Sequence, residues 1–307
     1  MWMAPVAGSM PKVWINSVPN VGRTASNSLG HLLRLKLLFI AVPFIAVIFC
    51  HSVLTDTLSI ATASNFRPVL EQLSQTFSEQ QNADGESHQI NISSASSGVI
   101  YAQILQGAPF QLFFSANESY PEKLVASGHG EPETLATYAI GKLVLVSRYE
   151  SDDLEGVDLE GNSPTDILLK AKRIAIANSR TAPYGIAATE VMENLGIANE
   201  TQNKLVVGNN IAQAWQFFHS GNADVAIVAE SLASLAESSA AKEQQQGLVT
   251  IDLSSYLKRP VRQGWVAIKP ISPLTQQFLD FMNTPVAEKI ITDGGYLLPI
   301  KGKNITP

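Results

Sequence analysis

Cysteine is almost missing from this chain: Cys50 is the only one in 307 residues, so no disulfide can form within it. Charge is sparse, with Asp, Glu, Lys and Arg making up 16% of residues, and aromatics make up only 7%. A 45% share of hydrophobic residues nevertheless excludes a disordered chain. The apolar run Leu37–Cys50, LLFIAVPFIAVIFC, is fourteen residues long with Pro43 in its middle. It falls short of the ~18 residues of a spanning helix. Catalytic signatures are missing too. There is no Gly-x-Ser-x-Gly elbow, no Gly-x-Gly-x-x-Gly, no phosphate-binding P-loop and no His-Glu-x-x-His. His88, His129 and His219 lie in polar stretches and read as surface histidines, without zinc-ligand spacing.

The net charge of −6 is unevenly spread. Residues 1–52 hold Lys12, Arg23, Arg34 and Lys36 and no acid, which leaves 17 basic against 27 acidic residues, or −10, for the remainder. So acidic a body argues against nucleic acid as the main partner. Residues 1–52 read as a signal peptide, a basic n-region before the apolar run, with cleavage after Ser52 and Met10 as an alternative start. An uncleaved anchor is the other reading. Phe49 is bulky where a lipoprotein signal needs a small residue, which disfavours lipid attachment at Cys50.

Beyond Ser52, short apolar runs alternate with helical periodicity. Strands are expected at Leu58–Ala61, Ile90–Ser93, Phe110–Phe114, Gly141–Ser147, Arg173–Ala177, Lys204–Val207, Val225–Ala229 and Pro260–Lys269. Phe66, Val69, Leu70, Leu73 and Phe77 mark one helix face, Ala188, Val191, Met192 and Leu195 another, and Ile211, Ala214, Trp215 and Phe218 a third. Further helices are expected over Ser97–Leu105, Ser231–Gln246, Leu274–Met282 and Val286–Ile291, with polar loops at Gln80–Gln89 and Tyr149–Asp166. The class this predicts is α/β, with mostly parallel sheets flanked by helices.

One local geometry recurs: a strand ends, and small, hydroxyl, amide or Gly residues open the next helix. It is seen at Thr62-Ala-Ser-Asn65, Ser96-Ser-Gly98, Ala182-Pro-Tyr-Gly185 and Gly208-Asn-Asn-Ile211. Each alone is an ordinary N-cap. Together they can converge free N–H groups on an anion without any cationic side chain.

These runs carry a resemblance. Ala61-Thr-Ala-Ser-Asn65, Ala95-Ser-Ser-Gly98 with Tyr101-Ala-Gln-Ile104, Gly107-Ala-Pro109, Phe113-Phe-Ser-Ala116, Thr181-Ala-Pro-Tyr-Gly185, Gly221-Asn-Ala-Asp224 and Gly295-Tyr296 follow one order from Leu58 to Leu298. Together they resemble the periplasmic molybdate-binding proteins of ABC importers. The resemblance implies a two-lobed type II periplasmic binding protein fold with the ligand cleft between lobes. Lobe 1 would comprise 53–139 plus 267–307 and lobe 2 would comprise 140–266. It further implies a non-enzymatic, periplasmic, monomeric protein without cofactor that delivers molybdate or tungstate to a membrane permease.

Site residues carried over are Ser64 and Asn65, Ser97, Tyr184 and Ile211. Ser64 and Ser97 would donate hydroxyl and backbone N–H groups, the others mainly backbone N–H. The Tyr184 ring would cover the site or pack on a neighbour. Two positions depart from the family: Ala229 where some members place a ligand Tyr, and Gln111 where Asp is common. Arg67 is close enough to the first turn to assist an anion, with a solvent-facing position as the other reading. Alternative functions are binding of another oxyanion such as sulfate, or oxyanion sensing from a membrane anchor.

Overall fold

A computed structural model describes residues 56–83, 88–148, 163–237 and 248–300. The expected signal peptide with Cys50, residues 149–162 of the acidic loop and residues 238–247 lie outside the described residues. Among the described residues, no helix is long and apolar enough to cross a membrane.

The chain starts with β1 (Asp56–Ala63), α1 (Arg67–Ala83), β2 (His88–Ala95), α2 (Ser97–Leu105), β3 (Leu112–Phe114), α3 (Ser119–Ala126) and β4 (Ala136–Gly141). A second series follows: β5 (Leu143–Ser147), α4 (Pro164–Lys170), β6 (Ile174–Ala177), α5 (Pro183–Asn194), α6 (Ala198–Thr201), β7 (Leu205–Gly208), α7 (Ile211–His219), β8 (Val225–Ala229), α8 (Glu230–Glu237) and β9 (Val249–Asp252). The chain then returns through β10 (Val261–Ala267), α9 (Pro273–Met282) and α10 (Pro285–Asp293).

Two five-stranded sheets result, ordered β2-β1-β3-β10-β4 and β7-β6-β8-β5-β9. Three strands of each are parallel, β2-β1-β3 and β7-β6-β8, and the other two join antiparallel. The parallel expectation thus describes three strands of each sheet. Parallel strands buried on both faces need near-continuous apolar runs, and Ile174–Ala177 and Val225–Ala229 are buried at every position. The first sheet packs Phe66, Phe114, Tyr138 and Trp265 into an aromatic cluster.

The lobe boundary differs from expectation at two places. All of β10 pairs within the first sheet, with β3 and β4, so Val261–Val266 belong there and not to lobe 2. The run Gly141–Ser147 is not one strand: Gly141 ends β4 in the first sheet and Leu143 opens β5 in the second. Apolar periodicity marks both as strands but carries no information on which sheet each joins. α1 also extends through Gln80–Ala83, where a loop was expected. His88 and His129 are half-buried, bonded to Ser78 and Ser127, while His219 is exposed.

Candidate oxyanion site

Parallel register sets the site. β1 and β2 run in step to Ala63 opposite Ala95, so the turns that follow, at Ser64 and Ser96, lie side by side. In the second lobe, β6 and β7 run in step to Ala177 opposite Gly208. The helix starts after these strand ends therefore face one another across the crevice between lobes, the usual ligand position in open α/β sheets.

A tight cavity of about 10 Å³ lies there, lined by Ala63, Ser64, Asn65, Ser96, Ser97, Ala116, Pro183, Tyr184 and Ile211 among others. All five expected residues line it, and no charged side chain does. Room of that order suits a water-sized solute or, with slight parting of the walls, a compact ion. The lobes touch beside it: the Gly98 N–H donates to the Thr181 carbonyl at 2.8 Å, and the Ala212 N–H to Ser64 Oγ at 3.4 Å.

The cavity wall is rich in uncommitted donors. Among the described residues, no acceptor meets the backbone N–H of Asn65, Ser97, Tyr184 or Ile211. Helix α2 has no side-chain cap from Ser96, and α5 begins after Ala182, which cannot cap. By contrast α7 is conventionally capped, its Asn210 side chain accepting from the Gln213 N–H. Each hydroxyl expected at the ligand already accepts one backbone N–H, Ser97 from Ala116 at 3.0 Å and Ser64 from Ala212, which leaves its own proton to donate. Leaving such donors buried and unpaired costs about 1–3 kcal/mol each, so an acceptor of several bonds gains heavily there.

The structure refines several assignments. The Ser64 N–H donates to the Ala95 carbonyl at 3.1 Å and is not free for a ligand. The Tyr184 ring packs inward, 1% exposed, with its hydroxyl accepting from Gln263 Nε2 at 3.1 Å. Arg67 pairs with Glu71 at 2.7 Å and is half exposed, so it faces solvent. Gln111 Oε1 accepts the Ser59 N–H at 2.8 Å, near the start of β1 and away from the site at its end. Ala229 pairs with Leu143 and does not line the cavity. Ser96 was passed over in favour of its neighbour, yet its buried Oγ has no partner and it lines the cavity.

Burial raises the pKa of Tyr138 and Tyr184 well above the ordinary tyrosine value, and that of Tyr296 by the same cause. Burial thus favours the neutral form of all three in the folded protein. Because the folded values are raised, their contribution to stability is complete below the unfolded-chain value of about 10 and is lost as pH rises beyond it. We expect absorbance near 295 nm to show that these tyrosines ionise only together with unfolding. Ionisation of all seven tyrosines of the chain at their ordinary value, with the fold intact, would contradict this burial.

A family profile described as bacterial extracellular solute-binding protein matches residues 58–297. The chain belongs to this family. Within the solute-binding family it is 35% identical over 239 residues to the molybdate-binding protein ModA of Rhodobacter capsulatus, covering 77% of this chain and 86% of that one. It is 34% identical to the molybdate-binding protein ModA of Azotobacter vinelandii, over 77% and 88%. The solved periplasmic molybdate-binding protein of Azotobacter vinelandii aligns at 37% identity with a TM-score of 0.67, over 79% of this chain and all of that one. The two sheets with a cleft between them are thus those of a two-lobed solute-binding protein.

Proposed function

We propose that this protein captures molybdate, or the nearly identical tungstate, outside the cytoplasm and hands it to the membrane permease of an ABC importer. The observation that carries this reading is the set of uncommitted donors converging on one small cavity without a charged side chain. Relatives named for molybdate binding, matched over most of their length, support the choice of ion. The Ser64 and Ser97 hydroxyls and the N–H groups of Asn65, Ser97, Tyr184 and Ile211 would hold the oxygens, with the Ser96 hydroxyl in reach to join them.

Charge-assisted hydrogen bonds contribute about 1.5–3 kcal/mol each. Six such bonds support micromolar or tighter binding after desolvation and closure. Hydrogen phosphate is disfavoured because its proton finds no carboxylate among the lining residues. Selection against sulfate, a smaller tetrahedron, would rest on the spacing the donors take once the walls have parted around the larger ion. Calorimetric titration with molybdate, tungstate, sulfate and phosphate tests the reading. We expect heat with the first two and affinity unchanged between about pH 6 and 9, since none of the donors titrates there. Heat with sulfate alone, or with none of the four, would overturn it.

A further inference from the structure

Behind the cavity lies a buried polar network, with Asn65 and Gln263 0% exposed. Asn65 Nδ2 donates to Gln263 Oε1 and to the Tyr296 hydroxyl, both at 2.9 Å. Gln263 Oε1 also accepts from the Tyr138 hydroxyl at 2.9 Å, and Gln263 Nε2 donates to the Tyr184 hydroxyl at 3.1 Å. Gln263 stands on β10 in the first lobe, where the register with β4 shifts between Gln263 and Gly264. Bulges of this kind re-aim side chains beside functional sites. Tyr184, on α5, belongs to the second lobe. The link passes directly over Gly141, where a Cβ would lie 2.0 Å from the Tyr184 hydroxyl and 2.5 Å from Gln263 Nε2. Any larger residue there would occupy the seat of the link.

Two groups in this arrangement are left over. Asn65 Oδ1 is buried without a donor. The Tyr184 hydroxyl accepts from Gln263, but no acceptor for its own hydrogen occurs among the described residues. An oxyanion cannot relieve the first, because it too only accepts. Turning the Asn65 carboxamide by 180° presents its NH2 in place of Oδ1, and brings Oδ1 against Gln263 Oε1. Gln263 must then turn as well. After both turns, Gln263 Nε2 donates to Asn65 Oδ1 and to the Tyr138 hydroxyl, which passes its hydrogen to the Ser115 carbonyl, 3.2 Å away. Gln263 Oε1 accepts from Tyr184. The Tyr296 hydroxyl, 2.9 Å from both the Asn65 backbone carbonyl and Ser231 Oγ, then accepts from Ser231 and shares its single hydrogen between that carbonyl and Asn65 Oδ1. The Tyr184 hydrogen and Asn65 Oδ1 are then both partnered, at the cost of a shared bond at the Asn65 backbone carbonyl, and the Asn65 NH2 is left for an oxyanion to accept.

We propose that Gln263 is a positioning residue for the oxyanion site: its carboxamide turns together with that of Asn65, and so ties the bound ion in one lobe to the Tyr184 hydroxyl of the other. This rests on the oxyanion reading of the cavity. It supplies what coupling between sites requires, an element with two discrete arrangements that both ligand and lobe contact bias.

The test combines calorimetry with molybdate and side-chain amide NMR on the full protein. Gln263→Met keeps length and volume but neither donates nor accepts as an amide does. It is expected to weaken binding about tenfold, as is Tyr184→Phe, and the double variant to lose little more, because both cut one link. In the wild type, the Asn65 and Gln263 amide signals should shift in the same titration. Full affinity in Gln263→Met, independent losses that multiply to about a hundredfold, or amide signals that stay put would each overturn the relay while leaving molybdate binding intact. A wild type that binds no oxyanion would instead remove the functional reading, and the relay with it.

Discussion

Replacing Gly98 by alanine should leave each lobe folded and cost the protein its closed form. The added Cβ would lie 2.6 Å from the Tyr120 hydroxyl, 2.9 Å from the Thr181 carbonyl oxygen and 3.1 Å from Thr181 Cα. The tyrosine can swing aside, but Thr181 is backbone of the opposite lobe, at the entry to α5. Relief requires the lobes to part, which breaks the bond from the Gly98 N–H to Thr181. Within α2 itself the change is benign, because alanine is the better helix residue by about 1 kcal/mol. A ligand held by the first lobe would then lose the N–H groups of Tyr184 and Ile211. At about 1.5–3 kcal/mol each the loss is about a hundredfold or more in affinity. Calorimetry should read that loss while the melting temperature holds, and small-angle scattering should show no compaction on adding molybdate. Wild-type affinity in this variant would mean that closure across Gly98 is not part of binding.

Much of this site was readable in the sequence because helix starts are written locally. A strand-like run followed by Ser, Asn or Pro-x-Gly marks where N–H groups emerge, and the expected bounds Ser97–Leu105 and Val225–Ala229 agree with α2 and β8. What such local signals lack is the partner. Ser64 and Ser97 looked equivalent, yet the Ser64 N–H is consumed by Ala95 on the neighbouring strand, a fact of register alone. Gln263 drew no attention and Tyr296 entered only as part of the family resemblance, since a polar residue in an apolar strand or a tyrosine near the C-terminus has no periodicity to betray a network. Their roles come from contacts across 198 and 231 residues. The crossing strands were misallotted for the same reason: Gly141 and Leu143 sit two apart in one apolar run and in different sheets.

Removing both serine hydroxyls, as Ser64→Ala with Ser97→Ala, should have an effect of similar or larger size by a different route, since it leaves closure free and takes away donors. Each hydroxyl accepts a backbone N–H, and on the proposed reading it would donate its own hydrogen to a ligand oxygen, with the O–H polarised by the bond it accepts. One deletion should cost about 1.5–3 kcal/mol, or about 10- to 100-fold in affinity, and the pair about 10²- to 10⁴-fold. The two are distinguishable without ligand. The Ser97 bond to the Ala116 N–H lies inside the first lobe, so Ser97→Ala orphans a buried donor and should lower the melting temperature by a few degrees. The Ser64 bond to Ala212 crosses the cleft and exists only with the lobes closed. Ser64→Ala should therefore melt like the wild type while binding less tightly. Affinity untouched in the double variant would show that the ligand is held by backbone alone, and that the hydroxyls serve only to satisfy Ala116 and Ala212.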